Sequence, residues 1–210
     1  MPPDLPLSRE ILFLSLAILV SLIRYATYFH SIYKKETRPH VFSWLNWGIM
    51  VGIGAYAQFT LDGGASVWAL VFVSVTCLLI AFLSLFVGEK NITRSDWLAF
   101  IGALAVIPVW MGTQNPFFAI IALMVIDILS YYPTIRKSWN DPWGEPPVSY
   151  FWAGLRYFFA LLAVPEFTVH TVAYPFFLMA GDWGFALYVV WRRQIMKKAM
   201  RTSGEILQGT

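Results

Sequence analysis

The chain has 210 residues, 58% of them hydrophobic and only 13% charged, with ten tryptophans and a formal net charge of +3. That composition lies outside the range of soluble globular domains and reads as an integral membrane protein. The cations fall in short clusters between apolar runs, where they orient helices in a bilayer, so nucleic-acid binding is excluded; the single cysteine, Cys77, allows no intramolecular disulfide.

The opening MPPDLPLSRE carries Asp4 and Glu10 beside Arg9, the wrong charge order for a secretory signal, and predicts a short tail before a retained first span. A helix needs about 20 residues to cross a hydrocarbon core. Seven runs qualify, at residues 9–32, 41–61, 65–88, 95–113, 116–138, 148–167 and 171–193. The turns between them hold helix breakers: RPH, LDGGA, GEKNITRSD, TQNP, NDPWGEPP and PEFTVH. Lys34, Lys35 and Arg38 follow the first run, and Lys90 and Arg94 the third. Arg136 and Lys137 close the fifth, and Arg192, Arg193, Lys197, Lys198 and Arg201 follow the seventh. The alternate turns carry no Lys or Arg. Basic loops stay cytoplasmic, which predicts an outside N-terminus and a cytoplasmic C-terminus in a bacterial inner membrane. The closing TSGEILQGT reads as a polar, mobile tail.

Runs one to three align with runs five to seven at an offset of 106 residues. Tyr25 meets Tyr131, Ser43 meets Ser149, Gly48 meets Gly154 and Ala57 meets Ala163. Both repeats have a basic loop after the first helix, a proline before the second, and a Ser-aromatic opening to it, FSWLNWG and VSYFWAG. The expected fold is therefore an all-α membrane protein of seven transmembrane helices, two three-helix bundles joined by a linker helix (3+1+3). Its parts are a first repeat over 1–90, the linker over 91–114, a second repeat over 115–198 and the tail over 199–210.

Asp127, Tyr131 and Thr134 are spaced i, i+4, i+7 and share one helical face, which the offset maps onto Ser21, Tyr25 and Tyr28. Two such stripes read as two walls of one cavity; the alternative places the tyrosines in an interfacial aromatic belt. Arg24, Asp127, Arg156 and Asp182 lie inside runs and sum to zero charge. Each costs about 2.5 to 3.5 kcal/mol at a helix centre on the insertion scale, so each calls for pairing or a watery cavity. A salt-bridge network that sets helix register and a polar-solute site or proton relay both satisfy that demand. Trp44, at the start of its run, reads as a belt residue, and the glycines of GIGA at 52–55 as packing residues. His30, His40 and His170 lack metal-ligand spacing, and no phosphate loop or hydrolytic motif is present, so neither an enzyme nor a cofactor is expected. The last run has no lysine to hold retinal.

The 3+1+3 order, the outside N-terminus and a Tyr-x-Pro at Tyr131 and Pro133 near the inner end of a repeat's first helix resemble the SWEET sugar transporters and the PQ-loop (MtN3-like) family. The resemblance implies a transporter that moves a small polar solute, such as a sugar, amino acid or vitamin, by alternating access through a midplane site. The bilayer and the solute are its partners, with a homo-oligomer left open. In that pattern the pocket takes a tryptophan from each second helix and an asparagine from each third. Here Asn46, Trp47 and Trp152 would frame the solute, and Thr76 and Asp182 occupy the third-helix positions. Arg156 would bind an anionic group or hold Asp182; Asp127 and Asp182 would bind a cationic group or a proton. Tyr25, Tyr131 and Pro133 would form the inner gate. The chain departs from the pattern at Thr134, where the family has glutamine, at Thr27, in the first repeat's proline position, and in lacking both asparagines. The reading from another class is a non-transporting seven-helix receptor with a structural charge network, since the same topology serves a cargo receptor of the endoplasmic reticulum.

Overall fold

The computed structural model describes residues 5–60, 65–112, 116–164 and 166–208. Gly63 and the rest of the turns at 61–64 and 113–115 lie outside the described residues. The described residues form seven α-helices: α1 (Leu5–Tyr33), α2 (Val41–Thr60), α3 (Ala65–Val87), α4 (Arg94–Gly112), α5 (Pro116–Asn140), α6 (Pro147–Ala163) and α7 (Val169–Gln208). A 3-10 turn, Pro142–Gly144, precedes α6. Three of the helices are long and apolar enough to cross a membrane: α1 over Arg9–Tyr33, α3 over Trp68–Val87 and α7 over Thr171–Thr202. The α7 helix runs for 40 residues to Gln208, so it takes in most of the 199–210 segment expected as a polar tail.

The helix ends follow from local chemistry. Thr93 and Asp96 close a reciprocal capping box on α4, with the Thr93 N–H donating to Asp96 Oδ2 at 2.7 Å and the Asp96 N–H to Thr93 Oγ1 at 3.3 Å. At the end of α1 the Glu36 N–H reaches Ser31 O and the Lys35 N–H reaches Ile32 O, with Lys35 at φ 59°. This is a Schellman cap built on a lysine where glycine is usual.

Polarity is arranged inside out. α1 exposes Ile11, Leu14, Ile18 and Leu22 while burying Ser21, Arg24 and Ser31. α3 exposes Phe72, Leu79, Phe82 and Phe86 while burying Ser74, Thr76 and Ser84. Water would favour the reverse; an apolar solvent favours this order, because polar groups must then find partners inside the protein.

The chain divides into two compact units. The first comprises Met1–Glu36, Ser138–Phe167 and Pro175–Thr210, and the second Thr37–Lys137 and Thr168–Tyr174. The first unit holds α1, α6 and most of α7, and the second holds α2, α3, α4, most of α5 and the start of α7. The division within α7 falls at Pro175, which has no N–H to offer the preceding turn.

In the first unit α1 and α6 run antiparallel. Arg9 donates to Val164 O, Phe13 stacks on Phe159 at 6.3 Å, Ser149 Oγ donates to Arg24 O at 3.3 Å, and Tyr28 donates to Glu145. α7 lies against α6 where Gly154 leaves room for the Trp183 indole, which a Cβ would strike. The same indole donates to Phe151 O at 3.2 Å. In the second unit the matching glycine, Gly48, leaves room for Leu78 of α3, and Ser74 Oγ donates to the Gly48 carbonyl at 2.8 Å. Gly52 of GIGA also abuts Ser74, as a packing glycine should, whereas a Cβ on Gly54 would meet nothing. Phe42 joins α2 to α4 through Trp97 and Phe100, at 4.5 and 4.6 Å between ring centroids.

Candidate functional site

The predicted residues are shared between the units, and each unit holds its own polar group. In the second unit α2 and α5 meet along an antiparallel seam. Thr134 Oγ1 donates to Ser43 Oγ at 2.9 Å, and one turn on the Trp47 ring meets the Tyr131 ring edge-on at 4.9 Å. A further turn on, Tyr174 of α7 donates to Asp127 Oδ2 at 2.6 Å while its hydroxyl lies 3.8 Å from Met50 Sδ. The stripe Asp127–Tyr131–Thr134 therefore lies on one face, as its spacing predicted, and Asp127 and Thr134 are buried. Pro133 is buried inside α5 and removes the N–H that would otherwise bond the Leu129 carbonyl.

Asn46, on α2 beside this seam, is 3% exposed. Neither its amide nitrogen nor its oxygen has a hydrogen-bond partner among the described residues. Thr76 is satisfied within its own helix, donating to Phe72 O at 2.7 Å, so its hydroxyl is already committed to α3. Trp44, expected in the interfacial belt, is instead wholly buried with its ring edge-on to Trp47 at 5.3 Å. The first turn of α2 sits inside the unit, where packing against a second indole outweighs the pull of an interface.

In the first unit Tyr25 is buried with the Arg24 guanidinium over its ring at 4.7 Å, and Arg156 lies over Tyr157 at 4.2 Å. Asp182 is buried on α7. Trp152 is half-buried one turn before Arg156, with its ring edge-on to Phe151. Tyr28, for which an interfacial position was the alternative, is buried and donates to Glu145 Oε2 at 3.1 Å. Tyr150 donates to the same oxygen at 3.0 Å, and Arg193 donates to the Glu145 carbonyl at 2.8 Å. Glu145 went unremarked in the sequence because it stands in a loop between prolines, with no periodicity to mark it as buried.

A third polar group, also unforeseen, joins the ends of α2, α4 and α5 in the second unit. Asp96 Oδ1 accepts from Arg136 Nε at 2.7 Å, its Oδ2 accepts from Thr93, and His40 Nε2 lies 3.5 Å from Oδ2. Arg136 also donates to Asn91 O, and Lys137 donates to the Arg38 carbonyl. Burial holds the His40 pKa down at about 4, with Lys137 and Arg136 pushing the same way and Asp96 opposing them. The T-x-x-D spacing of Thr93 and Asp96 was the available signal.

No protein-family model, no curated protein and no solved structure matches this chain.

Proposed function

We propose that the chain is a seven-span transporter of the SWEET or PQ-loop kind that moves a small polar solute by alternating access. Helices α1, α3 and α7 are long and apolar enough to span a membrane; in this reading the other four helices cross it as well. The observation that carries the reading is Asn46. A buried amide with both ends unbonded costs about 1 to 3 kcal/mol, and a polar guest that accepts from its nitrogen and donates to its oxygen removes that cost. Trp47 and Tyr131, in ring contact nearby, supply the flat apolar walls that such a guest stacks against.

Purified protein screened by thermal shift against sugars, amino acids, vitamins and nucleosides tests this. A true ligand at 100 times its Kd stabilises the folded state by about 2.7 kcal/mol. Asn46→Leu is expected to raise the stability of the unliganded protein by about 1 to 3 kcal/mol, because the orphaned amide is gone, and to abolish the ligand's shift. A shift that survives Asn46→Leu would reject the site. A shift without uptake into proteoliposomes would replace the transporter with a binding receptor.

The orientation has its own test. In a background lacking Cys77, a cysteine at Gly63 is expected to react with an impermeant maleimide from outside, and one at Asn140 only after the membrane is opened. The opposite labelling pattern would invert the topology.

A further inference from the structure

We propose that the first unit holds a binding site for a small carboxylate, with Arg156 as the group that grips it. The site lies in the first unit, apart from Asn46 in the second, and it rests on the transport reading only for the claim that the bound anion is carried.

Arg156 sits on α6 with no carboxylate within 4 Å among the described residues, Asp182 included. Its Nε is buried and has no hydrogen-bond acceptor among them. The Tyr157 ring beside it answers part of its charge, but a ring face is a far weaker acceptor of N–H groups than a carboxylate. The residue as a whole is half-buried.

The helix geometry adds a second cation. α1 and α6 are antiparallel, and Ser149 lies opposite Arg24, two turns from Arg156. Side chains on a helix lean toward its N-terminus. On antiparallel helices this leans Arg24 toward the level of Arg156 and Arg156 back toward Arg24, so the two guanidiniums converge on the interval between them. Asp182 is buried on α7 next to Trp183, which packs on Gly154 within that interval. Two converging cations and one acid on three helices favour an anion over a neutral solute. A carboxylate, which matches the planar fork of a guanidinium with two parallel hydrogen bonds, suits Arg156 best.

The test uses the full chain in phosphatidylcholine nanodiscs, so that no anionic lipid competes, at constant ionic strength set with chloride. Acetate, glutamate and succinate are titrated calorimetrically beside their neutral counterparts acetamide, glutamine and succinamide. At least one acid is expected to bind saturably, with its amide at least tenfold weaker. Arg156→Gln should lose that preference, and Arg156→Lys, which keeps the charge without the fork, should fall between. Equal binding of acid and amide, no saturable acid binding, or acid affinity unchanged in Arg156→Gln would overturn the site. If Arg156→Gln fails to fold, the acid-versus-amide comparison on the natural chain decides alone. Uptake separates the two readings: acid binding without flux removes transport and leaves the site, whereas flux of a neutral solute without acid binding removes the site and leaves transport.

Discussion

Replacing Asp96 by alanine is expected to destabilise the protein by about 3 kcal/mol, the lower end of the range for stranding one partner of a buried ion pair. The carboxylate is 0% exposed and accepts from Arg136 Nε, from the Thr93 N–H and from the Thr93 hydroxyl. Alanine would remove all three interactions, among them one half of the capping box on α4, and leave the Arg136 guanidinium without its carboxylate beside Lys137. Arg136 keeps 18% of its side-chain surface, so water recovers part of the loss, which is why the lower end applies. Asp96→Asn retains an acceptor for Thr93 and should lose less. The measurement is reversible unfolding in detergent of both variants and of Arg136→Gln. If Asp96→Ala and Arg136→Gln each cost under about 1 kcal/mol, the cluster does not hold these three helix ends together.

The second large effect is a loss of stability in mild acid, caused by His40. Its folded-state pKa is held down at about 4 by burial, against an ordinary value of 6.5. Between those values the unfolded chain binds a proton that the folded chain refuses, so stability falls as pH drops from about 6.5 toward 4 and is fully present above that window. The shift corresponds to on the order of 3 kcal/mol. Asp96, Arg136 and Lys137 all act on the imidazole. Protonation therefore adds a charge where two cations already stand. Melting temperatures at pH 7.5, 6, 5 and 4.5 should decline in the natural chain and decline less in His40→Gln. Parallel curves for the two proteins would show that His40 does not titrate in this window.

Much of the helix layout was legible from hydrophobic runs and breakers alone. A proline, a glycine pair or a capping threonine ends a helix for reasons confined to a few residues, so the start of α2 at Val41 and of α3 at Ala65 coincided with the runs. The stripe of Asp127, Tyr131 and Thr134 was equally legible, because helical spacing alone puts those residues on one face. What lies opposite that stripe was hidden. Ser43 and Tyr174 reach it from 91 and 47 residues away, and no local pattern marks a tyrosine near a helix start as the donor to a distant aspartate. Trp44 shows the same limit from the other side: its place in the sequence pointed to an interface, and its surroundings in the fold put it in the core.

The sequence by itself determined that the chain is helical and apolar, where its helices begin, which of their faces are polar, and that four ionisable residues lie inside apolar runs. Those properties depend on the composition and period of single segments, and they survive whatever the segments pack against. Only the tertiary structure decided which segments became partners. It put α1 against α6, brought α2 and α5 together, gave Asp127 the hydroxyl of Tyr174, and left Asn46 and the Arg156 Nε without acceptors among the described residues. Packing of this kind depends on the fit of surfaces far apart in the chain. A glycine that admits an indole, as Gly154 admits Trp183, has that meaning only once α7 lies beside α6.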